Sequence, residues 1–141
     1  MLLVLASAGC GLYGFYAYDL DLQKEATSFA ASAFNKVFLY HDEEFLQSNL
    51  KDGERPMSAH QFIAQLSATL GQPQWAGTLR GVFTTRLVAH RLMLTGRFQF
   101  PVLYEGSAPV WVNVDVSQIG NGWQIDHLGW EYQPQVHSLT R

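Results

Sequence analysis

Cysteine is nearly absent. Cys10 stands alone, so no disulfide can join two parts of the chain and the core must hold by packing. Charge is scarce too: 15% of residues are charged against 48% hydrophobic, which excludes a solvated, disordered chain. The net charge is -3 and the nine Lys and Arg are scattered along the sequence, so nucleic acid is not an expected partner. There is no Gly-x-Ser-x-Gly, no His-Glu-x-x-His and no phosphate loop. A nucleophile elbow, a zinc-protease helix and a nucleotide cradle are therefore not written in the chain. No repeat or low-complexity tract appears, and 141 residues suit one domain.

What is present begins with an apolar start. Met1 to Tyr18 carries no charged side chain, and a helix of that length spans roughly 27 Å, just short of a hydrocarbon core. Tyr13, Tyr16 and Tyr18 gather where a membrane interface favours aromatics. A retained membrane anchor is the expectation for residues 1–18. The alternatives are a cleaved signal, a lipoprotein box at Ser7-Ala8-Gly9-Cys10 in which Cys10 takes the lipid, and a buried soluble helix.

From Leu20 the pattern turns helical. Leu22, Ala26, Phe29, Ala30, Ala33, Phe34, Val37 and Phe38 recur at three- and four-residue steps, one stripe about five turns long. Asp42 opens a short second helix, with Glu43 and Glu44 favourable in its first turn. Residues 51–57 read as a loop, with Gly53 and Pro56 as breakers. Ser58-Ala59-His60-Gln61 then matches a capping box, and the helix it opens ends at Gly71.

Everything after Trp75 reads as strand, in segments Trp75–Thr84, Arg86–Leu94, Gly96–Tyr104, Val110–Ser117 and Trp123–Glu131, the second and third being one long strand if Gly96 only bends it. Alternation fixes a register. Phe98, Phe100 and Val102 must share a face with Val110, Val112, Val114 and Val116, which pairs Val102 with Val110 and sets Arg97 across from Asp115 and Gln99 across from Asn113. Gly106 is free to take a left-handed position in the intervening turn. For the last turn Asn121-Gly122 is the preferred pair; it sets Val116 opposite His127 and Gln118 opposite Ile125, and avoids the Asp115–Asp126 apposition that Gly120-Asn121 would bring.

Helix, short helix, capped helix and a meander of long strands closing on Trp123-Gln124-Ile125-Asp126-His127-Leu128 resembles the NTF2-like superfamily over about residues 20–132. The resemblance implies an α+β, cystatin-like fold, with N-terminal helices on a curved antiparallel sheet. It is shared by isomerases, dehydratases, ligand-binding domains and silent assembly modules, so fold alone cannot choose among them. The layout of one membrane helix before such a domain resembles the periplasmic part of a type IV secretion inner-membrane component. The expected organisation is an apolar segment at 1–18, a domain at 19–132 and a tail at 133–141.

The register above turns His127 toward the apolar face, and His90, beside Leu92 and Leu94, shares that face. These two histidines are the candidates for a ligand pocket, against the plainer reading of core-edge histidines bonded to backbone. Asp115 and Asp126 suit a general base, against the plainer reading of surface carboxylates. His41, Asp42, Glu43 and Glu44 read more simply as cap and dipole residues than as metal ligands. Trp111 and Asn113, on the opposite face, are the candidates for an exposed interface. No catalytic residue, metal or cofactor is assigned. The expectation is a non-enzymatic, membrane-tethered interaction domain on the periplasmic side of a bacterial inner membrane, with a protein partner or a second copy. The alternative is a small-molecule pocket inside the cone of the sheet.

Overall fold

The computed structural model describes residues 20–51, 57–106 and 108–132. The apolar segment at 1–18, Cys10 and the tail at 133–141 lie outside these. The described chain is α+β: helices first, then one antiparallel five-stranded sheet. Helix α1 covers residues 20–34 and widens into a five-residue π-helical turn, Asn35–Leu39. Helix α2 is Glu43–Asn49 and α3 is Ala59–Leu70. Among the described residues no helix is long and apolar enough to cross a membrane.

Caps set the helix starts. The Asp42 carboxylate accepts from the Phe45 amide at 3.0 Å. Ser58 and Gln61 form the reciprocal box, with the Gln61 amide donating to Ser58 Oγ at 3.2 Å and the Ser58 amide donating to Gln61 Oε1 at 3.0 Å. Both bonds satisfy amides that the first helical turn leaves without partners.

The strands are β1 (Pro73–Ala76), β2 (Arg80–Val88), β3 (Arg91–Tyr104), β4 (Val110–Ile119) and β5 (Gly122–Tyr132). β3 is central to the order: β1 and β2 share one of its edges, β4 takes the other, and β5 follows β4. The inner face meets the helices. Val110, Val112, Val114 and Val116 are fully buried, with Phe98, Phe100 and Val102 beside them and Ala26, Ala30, Ala33, Phe34, Val37 and Phe38 above. The Phe34 ring lies flat on Phe100, centroids 4.3 Å apart and 5° from parallel. The expected β3–β4 register holds throughout, Arg97–Asp115 and Gln99–Asn113 included, and Gly106 takes φ +73 in the turn.

Several strand bounds are corrected, and Trp75–Thr84 is not one strand: β1 ends at Ala76 and β2 begins at Arg80. The break placed near Thr85 does not exist: β2 runs through it and turns at Ala89-His90, both at positive φ (48° and 63°). No Gly, Asn or Pro marks that turn, so the residues give no signal for it. Of the two alternatives at Gly96 the continuous strand is the one found: β3 runs through it, and its missing side chain admits the Phe98 ring, which would stand 2.5 Å from a Cβ there. The last turn is Gly120-Asn121, not Asn121-Gly122: Ile119 pairs with Gly122 and Val116 with Ile125. Gly120 takes φ +56 while Asn121 is not among the positive-φ residues, the glycine-first pattern of a type II′ turn. The like-charge apposition that counted against this turn is removed by a β-bulge. Asp115 pairs with His127 and Val116 with Ile125, so Asp126 is skipped.

Candidate functional site

The bulge reverses the parity of β5. Before it, Ile125 faces inward and is fully buried; after it, Leu128 and Trp130 pack on the core. His127 is thereby turned to the face of the sheet that carries no helix among the described residues, the helix-free face, where it is exposed, and not to the apolar face expected from simple alternation. Its ring lies along Gly129, where a Cβ would meet it at 3.1 Å. His90 is exposed in the β2–β3 turn and lies on neither face of the core. The two histidines are not brought together.

The helix-free face gathers instead an open groove of about 540 Å³, floored by β3 and β4 and flanked by β2 and β5. Its polar groups lie in rows across the strands. Gln99 Nε2 donates to Asn113 Oδ1 at 3.1 Å, and Asn113 Nδ2 donates to Glu131 Oε1 at 2.7 Å. Next, Arg97 reaches Asp115 at 3.7 Å, with His127 on the far side of Asp115. Beyond that, Ser117 Oγ donates to Asp126 Oδ1 at 2.8 Å and accepts from Gln124 Nε2 at 3.0 Å. Asn113 thus sits in the middle of a relay. Trp111 is half-buried under the Arg80 guanidinium, 5.5 Å from its ring centroid, and not bare as an interface aromatic would be.

Asp115 is the electrostatic centre of the groove. Burial pushes its carboxyl above the ordinary 3.8, the positive charges of Arg97 and His127 pull it back, and Asp126 adds to the rise. A carboxyl held so is an acceptor for a donor from outside the chain. The nearby hydroxyl, Ser117, donates to Asp126 and accepts from Gln124.

The interior between helices and sheet is packed by aromatic rings. Phe34, Phe38, Phe98, Phe100 and Tyr104 are all buried there. Phe38 meets Phe62 edge-on at 6.0 Å, and Phe62 meets Trp130 at 5.6 Å. No group of three or more His, Cys, Asp or Glu able to hold a metal occurs among the described residues. Asp42 is the cap of α2, and His41 Nδ1 lies 3.2 Å from Ser67 Oγ.

The topology also assembles what the linear sequence scatters. Residues 73–104 contain Arg80, Arg86, Arg91 and Arg97 and not one of the 12 Asp and Glu. Pairing of Val82 with Arg97 and Val88 with Arg91 puts all four arginines on the helix-free side of the β2–β3 ribbon. Asp115, Asp126 and Glu131 hold the β4–β5 side of the same face. Sequence reading missed Arg80 and Glu131; the grouping of Arg80 follows from parity once the turn at Ala89-His90 is known, and that of Glu131 from the bulge in β5. No known family, curated protein or solved structure matches the chain.

Proposed function

We propose that the chain is a non-enzymatic, membrane-tethered interaction domain of the bacterial envelope, NTF2-like in kind, that pairs with a second copy through the helix-free face of its sheet. The observation that carries this is the division of that face into a cationic half on β2–β3 and an anionic half on β4–β5. An isologous contact brings one patch against itself. With the two-fold axis lying along the strands, each copy's arginines fall over the other's carboxylates; with the axis across the strands, like charges would meet. Trp111 and Val82, the latter 68% exposed, supply apolar area on the same face. The tether rests on the uncharged run at residues 1–18, and a periplasmic position on the absence of basic residues just after it. The cystatin-like reading rests on the element order.

A pocket inside the cone is disfavoured because aromatic rings occupy that space and neither His127 nor His90 reaches it. The test uses two differently tagged copies of the full chain in mild detergent. Wild type should co-purify with wild type. Arg80→Glu/Arg97→Glu should fail to capture itself, and so should Asp115→Arg/Glu131→Arg, while each should capture the other. A monomeric wild type, or self-capture that ignores both charge reversals, removes this face as the contact.

A further inference from the structure

Three features share one end of the sheet. β4 pairs with β3 only as far as Thr95–Ser117, so the β2–β3 ribbon projects past it, ending at Ala89-His90. The β4–β5 turn at Gly120-Asn121 lies at the same end, because β4 runs antiparallel to β3. The start of α1 is there too: Lys24, Glu25 and Ser28 line a surface hollow together with Asn121 and Trp123. Helix α1, which the uncharged segment at residues 1–18 precedes in the sequence, therefore begins at the end where the ribbon projects.

That end is aliphatic and, on the ribbon, purely cationic. Leu87 and Leu92 face each other on one side of the ribbon, 69% and 45% exposed, and Val88 on the other is 48% exposed. Ile119 beside the β4–β5 turn is 56% exposed. One side of the tip is thus apolar and bare, and the other carries Val88 together with Arg86 and Arg91. Arg86 and Arg91 flank it and form no ion pair among the described residues, unlike Arg97 with its Asp115. The described carboxylates nearest this end are on α1 (Asp21 and Glu25) and on β5 (Asp126, bonded to Ser117), not on the ribbon.

A soluble acidic partner would account for the arginines but not for aliphatic side chains bared on both sides of a narrow ribbon. A bilayer surface accounts for both, since aliphatic groups enter the interface while guanidinium groups stay with the phosphates. We infer that the β2–β3 tip docks on an anionic phospholipid surface, with Leu87, Val88 and Leu92 at headgroup depth and Arg86 and Arg91 on lipid phosphates. The inference rests on the tether in the reading above, and gives the tethered domain a fixed orientation: ribbon down, with the helix-free face standing off the membrane.

The full chain carrying a solvatochromic amino acid at Ala89 is reconstituted into vesicles of phosphatidylcholine alone or mixed with phosphatidylglycerol. Flotation reports the tether and the emission reports the tip. The expected result is flotation with both lipids and a blue shift with the anionic mixture, reduced by added salt. Arg86→Glu/Arg91→Glu should lower the docked fraction on the order of tenfold, and Leu87→Ser/Leu92→Ser should abolish the shift, with flotation and the circular-dichroism melting midpoint unchanged. Flotation without a shift overturns the docking and leaves the tether. Loss of flotation overturns the tether and the docking with it. An equal shift with an acidic polypeptide or duplex DNA in place of lipid overturns the lipid assignment.

Discussion

Asp115 stands across the sheet from His127 because Asp126 drops out of the β4–β5 register. The bulge therefore does two things at once. It separates two carboxylates that regular alternation would oppose, and it places an imidazole beside a half-buried carboxyl.

The consequence for pH is signed. Burial raises the Asp115 carboxyl above its ordinary value, more than Arg97 and His127 lower it. A group raised in the folded state contributes stability that is fully present below its unfolded value of 3.8 and is lost as pH rises through the folded one. Asp115→Asn has no such loss. Melting midpoints followed by circular dichroism from about pH 3 to about pH 7 should show a smaller decline on the neutral side of that window for the variant than for wild type. An identical profile would mean that Asp115 is no more buried than a surface carboxyl.

Tyr104 offers a cleaner case. Its ring is buried at the inner end of β3, and its hydroxyl finds no hydrogen-bond partner among the described residues. An unpaired buried hydroxyl costs about 1–3 kcal/mol. Tyr104→Phe should therefore raise unfolding free energy by about 1 kcal/mol and the melting midpoint by a few degrees. Burial also pushes the phenol up to about 12, so wild type should lose stability as pH climbs from 10 toward that value while the Phe variant does not. Destabilisation by the substitution would show that the hydroxyl is held.

The Ala89-His90 turn is strained by its own residues. Both take positive φ, which costs non-glycine residues roughly 1–2 kcal/mol each, and Asn-Gly is the pair suited to that geometry. Ala89→Asn/His90→Gly should stabilise the domain by about 1 kcal/mol, read as a higher urea midpoint with an unchanged slope. A lower midpoint would place His90 in a contact that the turn serves.

Much of the fold was legible because several signals agreed. The stripe from Leu22 to Phe38, the Ser58–Gln61 box and the valine alternation each depend on a single local period, and each appears as read. What failed was parity. One extra residue at Asp126 turns His127 from one face to the other, and nothing in Trp123-Gln124-Ile125-Asp126-His127-Leu128 marks the bulge. The candidate site suffered for the same reason. Asn113 and Trp111 were placed on the right face, since the β3–β4 pairing does not involve the bulge, whereas His127 follows it; His90 was misplaced by the unmarked turn in which it lies. The arginines of β2 and β3 looked scattered because only a turn at Ala89-His90 aligns them.

Finally, the two margins of the sheet differ in kind. Along β5, the Lys51 amide donates to the Ile125 carbonyl at 2.8 Å and Leu50 forms a parallel bridge there, next to the bulge. Along the opposite margin, β1 and β2 are separate strands, and the Gly77 amide between them turns inward to Pro101 at 2.7 Å. Among the described residues, β2, nine residues long, pairs with β3 alone, so its outer edge keeps a row of backbone groups without a strand partner. Strand addition is thus obstructed at the β5 rim near Ile125, and the β2 rim is where a further extended chain would find backbone partners.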